Sequence, residues 1–236
     1  MKKIILSITL FIFSIFSYAN VITTTNTDID NDGILENITL EGYKLSEIYY
    51  DTFVLKIKNE KLEKNIRLNF GGYSPKMEIY DFDGDSIKDI LIISDSGGSG
   101  NYSEYFIYSI KKGVLLNNDL KLDLKAKFFD GFKVLISYKD KYTFLDLSEK
   151  KEQYINEKIY NKFGQFVGEN KDLFIGGISN LEAFDFGKDD IYELKGIITL
   201  SGIYHADRIG YIHFVYSIKE NKFIWLEVSK LLYAGV

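Results

Sequence analysis

Several residue types are rare or missing from this chain, and each absence excludes a class of protein. It has no cysteine, two histidines and a single proline, Pro75. The absence of cysteine excludes disulfide bonds and a lipid anchor attached through a cysteine. Two histidines without cysteine leave too few soft ligands for a zinc or copper site. Stability must therefore come from a large core or from a metal ion with oxygen ligands.

The first 19 residues, "MKKIILSITLFIFSIFSYA", have the pattern of a signal peptide. Lys2 and Lys3 precede an apolar stretch at 4–16, and small residues follow it. This pattern predicts cleavage before Asn20 and a secreted or periplasmic protein. A membrane anchor is the alternative, but the apolar stretch is shorter than the ~20 residues that span a bilayer. No later segment is apolar enough to span a membrane.

The charge of the expected mature chain, residues 20–236, is negative. Without Lys2 and Lys3, 27 of the 29 basic residues remain against 34 acidic ones, which gives a net charge of −7. This balance argues against nucleic acids and anionic membranes as partners and suits divalent cations better.

The composition predicts an all-β protein. Tyrosine and phenylalanine number 18 each, and aromatic residues fit the half-buried surface of a sheet. One segment, residues 148–164, instead carries apolar residues at helical spacing, which indicates a short helix or a polar connection. Strand-like alternation occurs in "KDILIIS", "EYFIYSI", "FKVLIS", "YTFLDL" and "YIHFVYSI".

Nine-residue acidic segments recur along the chain. Loop 1, residues 28–36, reads "DIDNDGILE", and loop 2, residues 81–89, reads "DFDGDSIKD". Both carry acids at positions 1, 3, 5 and 9. Loop 4, residues 185–193, reads "DFGKDDIYE" and keeps the acids at positions 1, 5 and 9, while Gly187 takes position 3.

The spacing of these loops indicates an internal repeat. Loops 1 and 2 begin 53 residues apart, and loops 2 and 4 begin 104 apart, or twice 52. A third copy without the acids, "FFDGFKVLIS", lies at 128–137 between them. We predict one domain, 20–236, of four units that begin near 25, 78, 127 and 182, as in a small, four-bladed β-propeller-like fold. A β-sandwich, or a pair of small sheets, is the alternative.

The acidic spacing predicts calcium binding. Calcium takes about six to eight oxygen ligands, whereas magnesium prefers to keep its waters. Positions 1, 3, 5 and 9 would supply carboxylates, and position 7 a backbone carbonyl. The predicted ligands are Asp28, Asp30, Asp32, Ile34, Glu36, Asp81, Asp83, Asp85, Ile87 and Asp89, with a less complete set at Asp185, Asp189 and Glu193.

Two alternative interpretations of the acidic loops fit the sequence less well. An EF-hand needs a glutamate at position 12 and flanking helices, but position 12 is Thr39 in loop 1 and Ile92 in loop 2. Aspartate and glycine also mark ordinary turns. A turn needs one or two such residues, however, and not four at fixed offsets.

These residues resemble the FG-GAP and VCBS repeats of exported bacterial proteins, which are related to the blades of integrin alpha-chain propellers. The resemblance rests on "DIDNDGILENITL" and "DFDGDSIKDILI", with "DFGKDDIYEL" as a weaker copy. It covers about a third of the chain and implies a calcium-stabilised propeller module used for binding. The chain departs from the family in being too short for the usual seven blades.

Two further segments are candidates for ligand contact. The glycine-rich segment at 94–105 is a hairpin loop that could also present tyrosines to a sugar. The segment at 202–214 contains His205, Asp207 and Arg208, which form either a charged tyrosine-rich loop or an acid–base pair. We therefore expect a non-enzymatic, exported calcium-binding module that recognises a protein or glycan. The alternative is an exported hydrolase or lyase that acts on polysaccharide, with calcium as a structural ion.

Overall fold

The computed structural model describes residues 19–98, 100, 102–120 and 123–231. The predicted signal peptide lies outside the described residues except for Ala19. Within the part of the chain that is described, no helix has the length and apolar character needed to cross a membrane.

The protein is all-β, as predicted, and consists of four antiparallel sheets in which strands adjacent in sequence pair with each other. Sheet 1 contains β1 (Ala19–Thr27), β2 (Glu36–Lys44), β3 (Tyr50–Lys58) and β4 (Glu63–Arg67). Sheet 2 contains β5 (Tyr73–Tyr80), β6 (Asp89–Asp95), β7 (Ser103–Ser109) and β8 (Gly113–Asn117). Sheet 3 contains β9 (Leu124–Phe129), β10 (Lys133–Tyr138) and β11 (Lys141–Asp146). Sheet 4 contains β12 (Phe174–Phe184), β13 (Glu193–Ser201), β14 (Arg208–Ser217) and β15 (Lys222–Lys230).

The acidic loops occupy one topological position. Loops 1, 2 and 4 each connect the first strand of a sheet to its second, and their ninth residue is the first residue of that second strand. The corresponding connection in sheet 3 is the short turn at 130–132. The predicted unit starts near 25, 78, 127 and 182 fall within β1, β5, β9 and β12, which are the first strands of the four sheets.

Sheet 2 is buried on both faces. Alternate residues of β6 point to opposite sides, so Ile90 and Ile92 join one hydrophobic core while Leu91 and Ile93 join another. The core that contains Ile90 and Ile92 is shared with sheet 1 and is called the small core. The core that contains Leu91 and Ile93 is shared with sheets 3 and 4 and is called the large core. This explains why β6 reads as an unbroken apolar run rather than an alternating one.

Sheet 1 has one apolar face and one polar face. Ile38 and Leu40 of β2 lie fully buried in the small core. The opposite face carries polar pairs, such as Lys56 and Glu41, whose Nζ and Oε1 atoms are 2.7 Å apart. The stack of sheets therefore ends at a solvated surface on sheet 1.

The segment at 148–164 is helical only at its start. A 3-10 turn (Ser148–Lys150) leads into α1 (Lys151–Asn156). The helix ends there because Lys158 adopts a left-handed backbone conformation, with φ of 59°. Phe163, the last residue of the predicted apolar stripe, is consequently 77% exposed.

Burial of sheet 2 on both faces leads to a stability prediction. Leu91→Ala and Ile92→Ala remove fully buried side chains from the large and the small core. Each should lower the free energy of unfolding by about 2–5 kcal/mol in urea unfolding. Val21→Ala is the control at a site that is 63% exposed, and its effect should stay within about 0.5 kcal/mol. Equal losses for the control and either core variant would contradict this packing.

Candidate metal centre

Loops 1, 2 and 4 share one backbone conformation despite their different sequences. In each of them, positions 4 and 6 have positive φ angles, a conformation that L-residues seldom adopt. These residues are Asn31 (60°) and Gly33 (85°), Gly84 (73°) and Ser86 (67°), and Lys188 (57°) and Asp190 (63°). Loop 4 therefore keeps the geometry of the others although it lacks one acid.

The aspartate at position 1 closes each loop by accepting backbone N–H groups. The carboxylate of Asp28 accepts from Asp32 at 3.0 Å and from Gly33 at 2.9 Å. In loop 2 the donors to Asp81 are Gly84 at position 4 (2.7 Å) and Ser86 at position 6 (2.8 Å). The bonds in loop 4 run from Asp189 (3.1 Å) and Asp190 (3.3 Å) to Asp185. Such bonds from the backbone to a side chain stabilise tight turns, whose backbone groups do not pair with a neighbouring strand.

The aspartate at position 5 accepts the N–H of position 7 in the same way. The donors and acceptors are Ile34 and Asp32 (2.8 Å), Ile87 and Asp85 (2.9 Å), and Ile191 and Asp189 (3.3 Å). The N–H groups of Ile34 and Ile87 are thus engaged within the loops. Their carbonyl groups stay predicted ligands.

The acid at position 9 lies beneath the loop and accepts the N–H of position 2. The pairs are Ile29 and Glu36 (3.0 Å), Phe82 and Asp89 (3.1 Å), and Phe186 and Glu193 (3.0 Å). Glu36 and Asp89 are fully buried, and Glu193 is 8% exposed. Glu36 also accepts a bond from the Asn59 amide at 2.6 Å. Position 9 therefore holds the loop onto the sheet.

The acids at positions 1, 3 and 5 converge in the first two loops. One carboxylate oxygen from each of Asp28, Asp30 and Asp32 lies within 4.8 Å of the others, and Asp81, Asp83 and Asp85 form a matching group. In the described part of the chain, groups of this kind include neither the position 9 acids nor loop 4. The structure thus gathers six of the predicted side-chain ligands into two clusters.

The surroundings raise the pKa of some of these acids. Burial raises the pKa of Asp30, and the neighbouring carboxylate of Asp32 adds to the effect. Burial also raises the pKa of Asp89 to about 7. The hydrogen bond from the Phe82 N–H opposes this rise, and the charge of Asp83 adds to it. Burial likewise raises the pKa of Glu193. A bound cation would offset such costs by favouring the charged forms.

Loop 2 has its own cation, which the sequence analysis did not identify. Lys112, in the turn between β7 and β8, places Nζ 2.7 Å from Asp83 Oδ2 and 2.9 Å from Asp85 Oδ2. Its hydrogen bond lowers the pKa of Asp85. Lys111 lies farther from Asp85, at 3.9 Å. Among the described residues, no ion pair reaches the three aspartates of loop 1.

Loop 2 also retains buried oxygens without hydrogen bonds. Within the described residues, neither Asp83 Oδ1 nor Asp89 Oδ1 has a hydrogen-bond partner. Buried acceptors are nearly always satisfied in folded proteins, by protein groups, water or an ion. Together with the oxygen-only chemistry of both clusters, the Asp83 atom fits a hard divalent cation such as calcium.

The acidic loops contact each other directly. Lys88 of loop 2 donates its N–H to the Ile29 carbonyl of loop 1 at 3.1 Å. The Asn31 side-chain amide donates to the Ser86 carbonyl at 2.8 Å. These bonds couple the conformations of loops 1 and 2.

Loops 2 and 4 are joined in a similar way. Tyr192 donates its N–H to the Asp81 carbonyl at 2.7 Å. Its ring stacks on that of Tyr80, with centroids 3.8 Å apart. The three acidic loops therefore form one row, with loop 2 in the middle.

Asp207 and His205, which the sequence offers as an acid–base pair, make other contacts in the fold. Asp207 is 3% exposed, and its carboxylate pairs with Lys150 and accepts the Tyr154 hydroxyl at 2.7 Å. His205 is exposed and packs against Phe174, with ring centroids 4.7 Å apart. Asp207 is thus engaged in a buried polar cluster, which favours a structural role over acid–base chemistry.

Comparisons with known proteins match this chain to a family model and to a bacterial relative. The model of the YybI C-terminal domain family matches residues 122–230, a range that corresponds to sheets 3 and 4. The chain is 30% identical over 219 residues to the "Uncharacterized protein YybI" of Bacillus subtilis (strain 168), covering 87% of this chain and 82% of that protein. No solved structure matches the chain significantly.

The raised pKa of Asp89 predicts a pH dependence of stability in the presence of chelator. Between about pH 4 and 7 the folded protein keeps a proton on Asp89 that the unfolded chain has released. The contribution of Asp89 to the free energy of unfolding should therefore fall as the pH rises through this range. Urea unfolding across the range should show a weaker fall in Asp89→Asn than in the unmodified protein.

The matched control for this measurement is Asp140→Asn, in the exposed turn between β10 and β11. It should leave the pH dependence unchanged. An identical pH profile for Asp89→Asn and the unmodified protein would contradict the role assigned to Asp89.

Proposed function

This chain belongs to the YybI family, and on that premise and the geometry of its acidic loops we propose that it is an exported calcium-binding β-repeat module that recognises a protein or a glycan. The single observation that carries the proposal is the recurrence of three converging carboxylates at the same place in sheets 1 and 2. The name of the Bacillus subtilis relative assigns no activity, so the proposal rests on the residues of this chain.

Calcium is the cation whose chemistry agrees best with both clusters. Every predicted ligand is an oxygen atom, and calcium tolerates the flexible, multidentate arrangements that carboxylate loops provide. Asp28, Asp30 and Asp32 would hold the ion in loop 1. Asp81, Asp83 and Asp85 would hold it in loop 2, where the unsatisfied oxygen of Asp83 supports the assignment.

The effect of the ion would extend beyond its own loop. Clustered carboxylates repel one another, and a cation between them replaces that repulsion with attraction. Because loop 1 bonds to loop 2, and loop 2 to loop 4, ordering the first two would stabilise a whole edge of the molecule. We therefore assign calcium a structural role.

The overall arrangement belongs to the same proposal. Four successive meanders, three of which share an acidic first connection, support a small, four-bladed propeller-like fold. The basic and apolar pattern at 1–19 supports export, either by secretion or to a periplasm. Exposed connections between strands would then provide the recognition surface.

Calcium should raise the melting temperature of the purified protein, and magnesium should have a smaller effect. Binding to the folded state alone adds about 2.7 kcal/mol at a hundredfold excess over Kd, or roughly 5–10 °C for a chain of this size. Thermal melts with chelator, calcium or magnesium measure this. The double variant Asp30→Asn, Asp83→Asn should lose most of the calcium response, whereas Asp140→Asn should keep it. An unchanged response in the double variant would refute the site.

Removing the internal cation of loop 2 should strengthen calcium binding there. In an Asp30→Asn background, which disables loop 1, Lys112→Met should raise the calcium affinity about tenfold, since a cation in contact with two carboxylates no longer competes. Calcium titration against a chelating dye measures the affinity. Lys111→Met, which loses only a 3.9 Å contact, is the control and should have a smaller effect. An equal or weaker affinity in Lys112→Met would show that this lysine does not compete for the site.

A further inference from the structure

A second polar site lies at the opposite ends of the strands from the acidic loops. A cavity of about 650 Å³ is bordered by the glycine-rich segment after β6 and by the connection between β13 and β14. β6 and β13 both begin at acidic loops and run seven and nine residues to this end, about 20–30 Å away. The residues around the cavity are Gly100, Tyr102, Thr199, Ser201, His205, Ala206 and Arg208.

A buried polar cluster around Asp207 fixes the connection between β13 and β14. Asp207 pairs with Lys150 from the 3-10 turn and accepts the hydroxyl of Tyr154 from α1. It also accepts the Ile203 N–H at 3.2 Å. A Cβ at Gly202 would collide with the Asp207 carboxylate. This cluster sets the position of the exposed neighbours of Asp207, which include His205 and Arg208.

Three glycines leave the space that the Tyr102 side chain occupies. A Cβ at Gly177 of β12 would lie 2.9 Å from its ring, and one at Gly100 would lie 2.6 Å from it. A Cβ at Gly176 would lie 3.4 Å from the Tyr102 hydroxyl and 3.1 Å from the Thr199 carbonyl. The absence of side chains at these positions lets the ring pack flat on the sheet and brings its hydroxyl beside Thr199.

The groups around the cavity are suited to an acidic sugar. Guanidinium binds carboxylate in a two-point geometry, and Arg208 is one of only two arginines in the sequence. The hydroxyls of Tyr102 and Thr199 can exchange hydrogen bonds with sugar hydroxyls. Ser201 is 4% exposed and donates its hydroxyl to the His205 carbonyl at 3.0 Å, which helps to fix the cavity wall. Phe174 (43% exposed) and Tyr204 (44% exposed) offer aromatic faces near His205 for the apolar side of a sugar ring.

We propose that this cavity binds a carboxylate-bearing saccharide, with Arg208 pairing with the carboxylate and Tyr102 bonding to a ring hydroxyl. The inference rests on the recognition role proposed above and names the ligand class. A volume of about 650 Å³ lies within the range of small-molecule sites. The chain as a whole is acidic, so recognition of an anion depends on a locally placed cation rather than on long-range attraction.

The test is a calorimetric titration of the purified protein, at constant calcium, with a trimer of galacturonic acid. The methyl ester of the same trimer keeps the sugar rings and removes the charge, and should bind at least about tenfold more weakly. Arg208→Met should cause a similar loss. Arg67→Met, which removes the other arginine from an exposed position on β4, should leave affinity unchanged. Tyr102→Phe should weaken binding about threefold to tenfold.

The inference is overturned by no binding of the trimer, by equal binding of its ester, or by equal losses in the two arginine variants. Inorganic phosphate is the third probe, and competition by phosphate as strong as that of the trimer would assign the cavity to free anions instead. Calcium-dependent melts separate this inference from the proposed function, and Arg208→Met should keep the normal calcium response. In the unmodified protein, a normal calcium response without saccharide binding rejects the cavity assignment and leaves the calcium proposal standing.

Discussion

A buried carboxylate at the first residue of the second strand determines how each acidic loop sits on its sheet. In loops 1 and 2 this residue is fully buried and accepts the N–H of the residue at position 2. That bond draws Ile29 and Phe82 into the two hydrophobic cores, while the acids on either side of them converge in the carboxylate clusters. The loop therefore depends on a polar contact that has been removed from water. Such a contact is costly to break, because the buried acid would lose its partner.

The same acidic spacing gives two loops with different electrostatic surroundings. Loop 1 presents three aspartates without an ion pair among the described residues, whereas Lys112 reaches two aspartates of loop 2. The local spacing sets the direction of the carboxylates, since it fixes the turn. A residue about thirty positions away in the sequence then decides how much of their charge is already balanced. Loops with one motif can thus differ in affinity for a cation.

The sequence was informative where the determinants are local. The alternation of apolar residues predicted an all-β protein, and the spacing of the acids identified three loops that adopt one conformation. Contacts between distant segments could not be predicted in this way. Lys112 sits in a turn of ordinary appearance, and the pairing of Asp207 with Lys150 joins sheet 4 to the segment after sheet 3. The helix after β11 was shorter than its apolar spacing indicated, because the backbone at Lys158 reverses.

The burial of sheet 2 on both faces has a consequence for how the protein comes apart. The buried apolar residues of sheet 1 belong to the small core alone, so this sheet can separate as a unit while the large core stays intact. Separation would uncover Ile90, Ile92 and Phe106, a row of the kind that promotes aggregation. The hydrogen bonds between loops 1 and 2 join sheets 1 and 2 outside this core. These loops therefore hold sheets 1 and 2 together against partial unfolding.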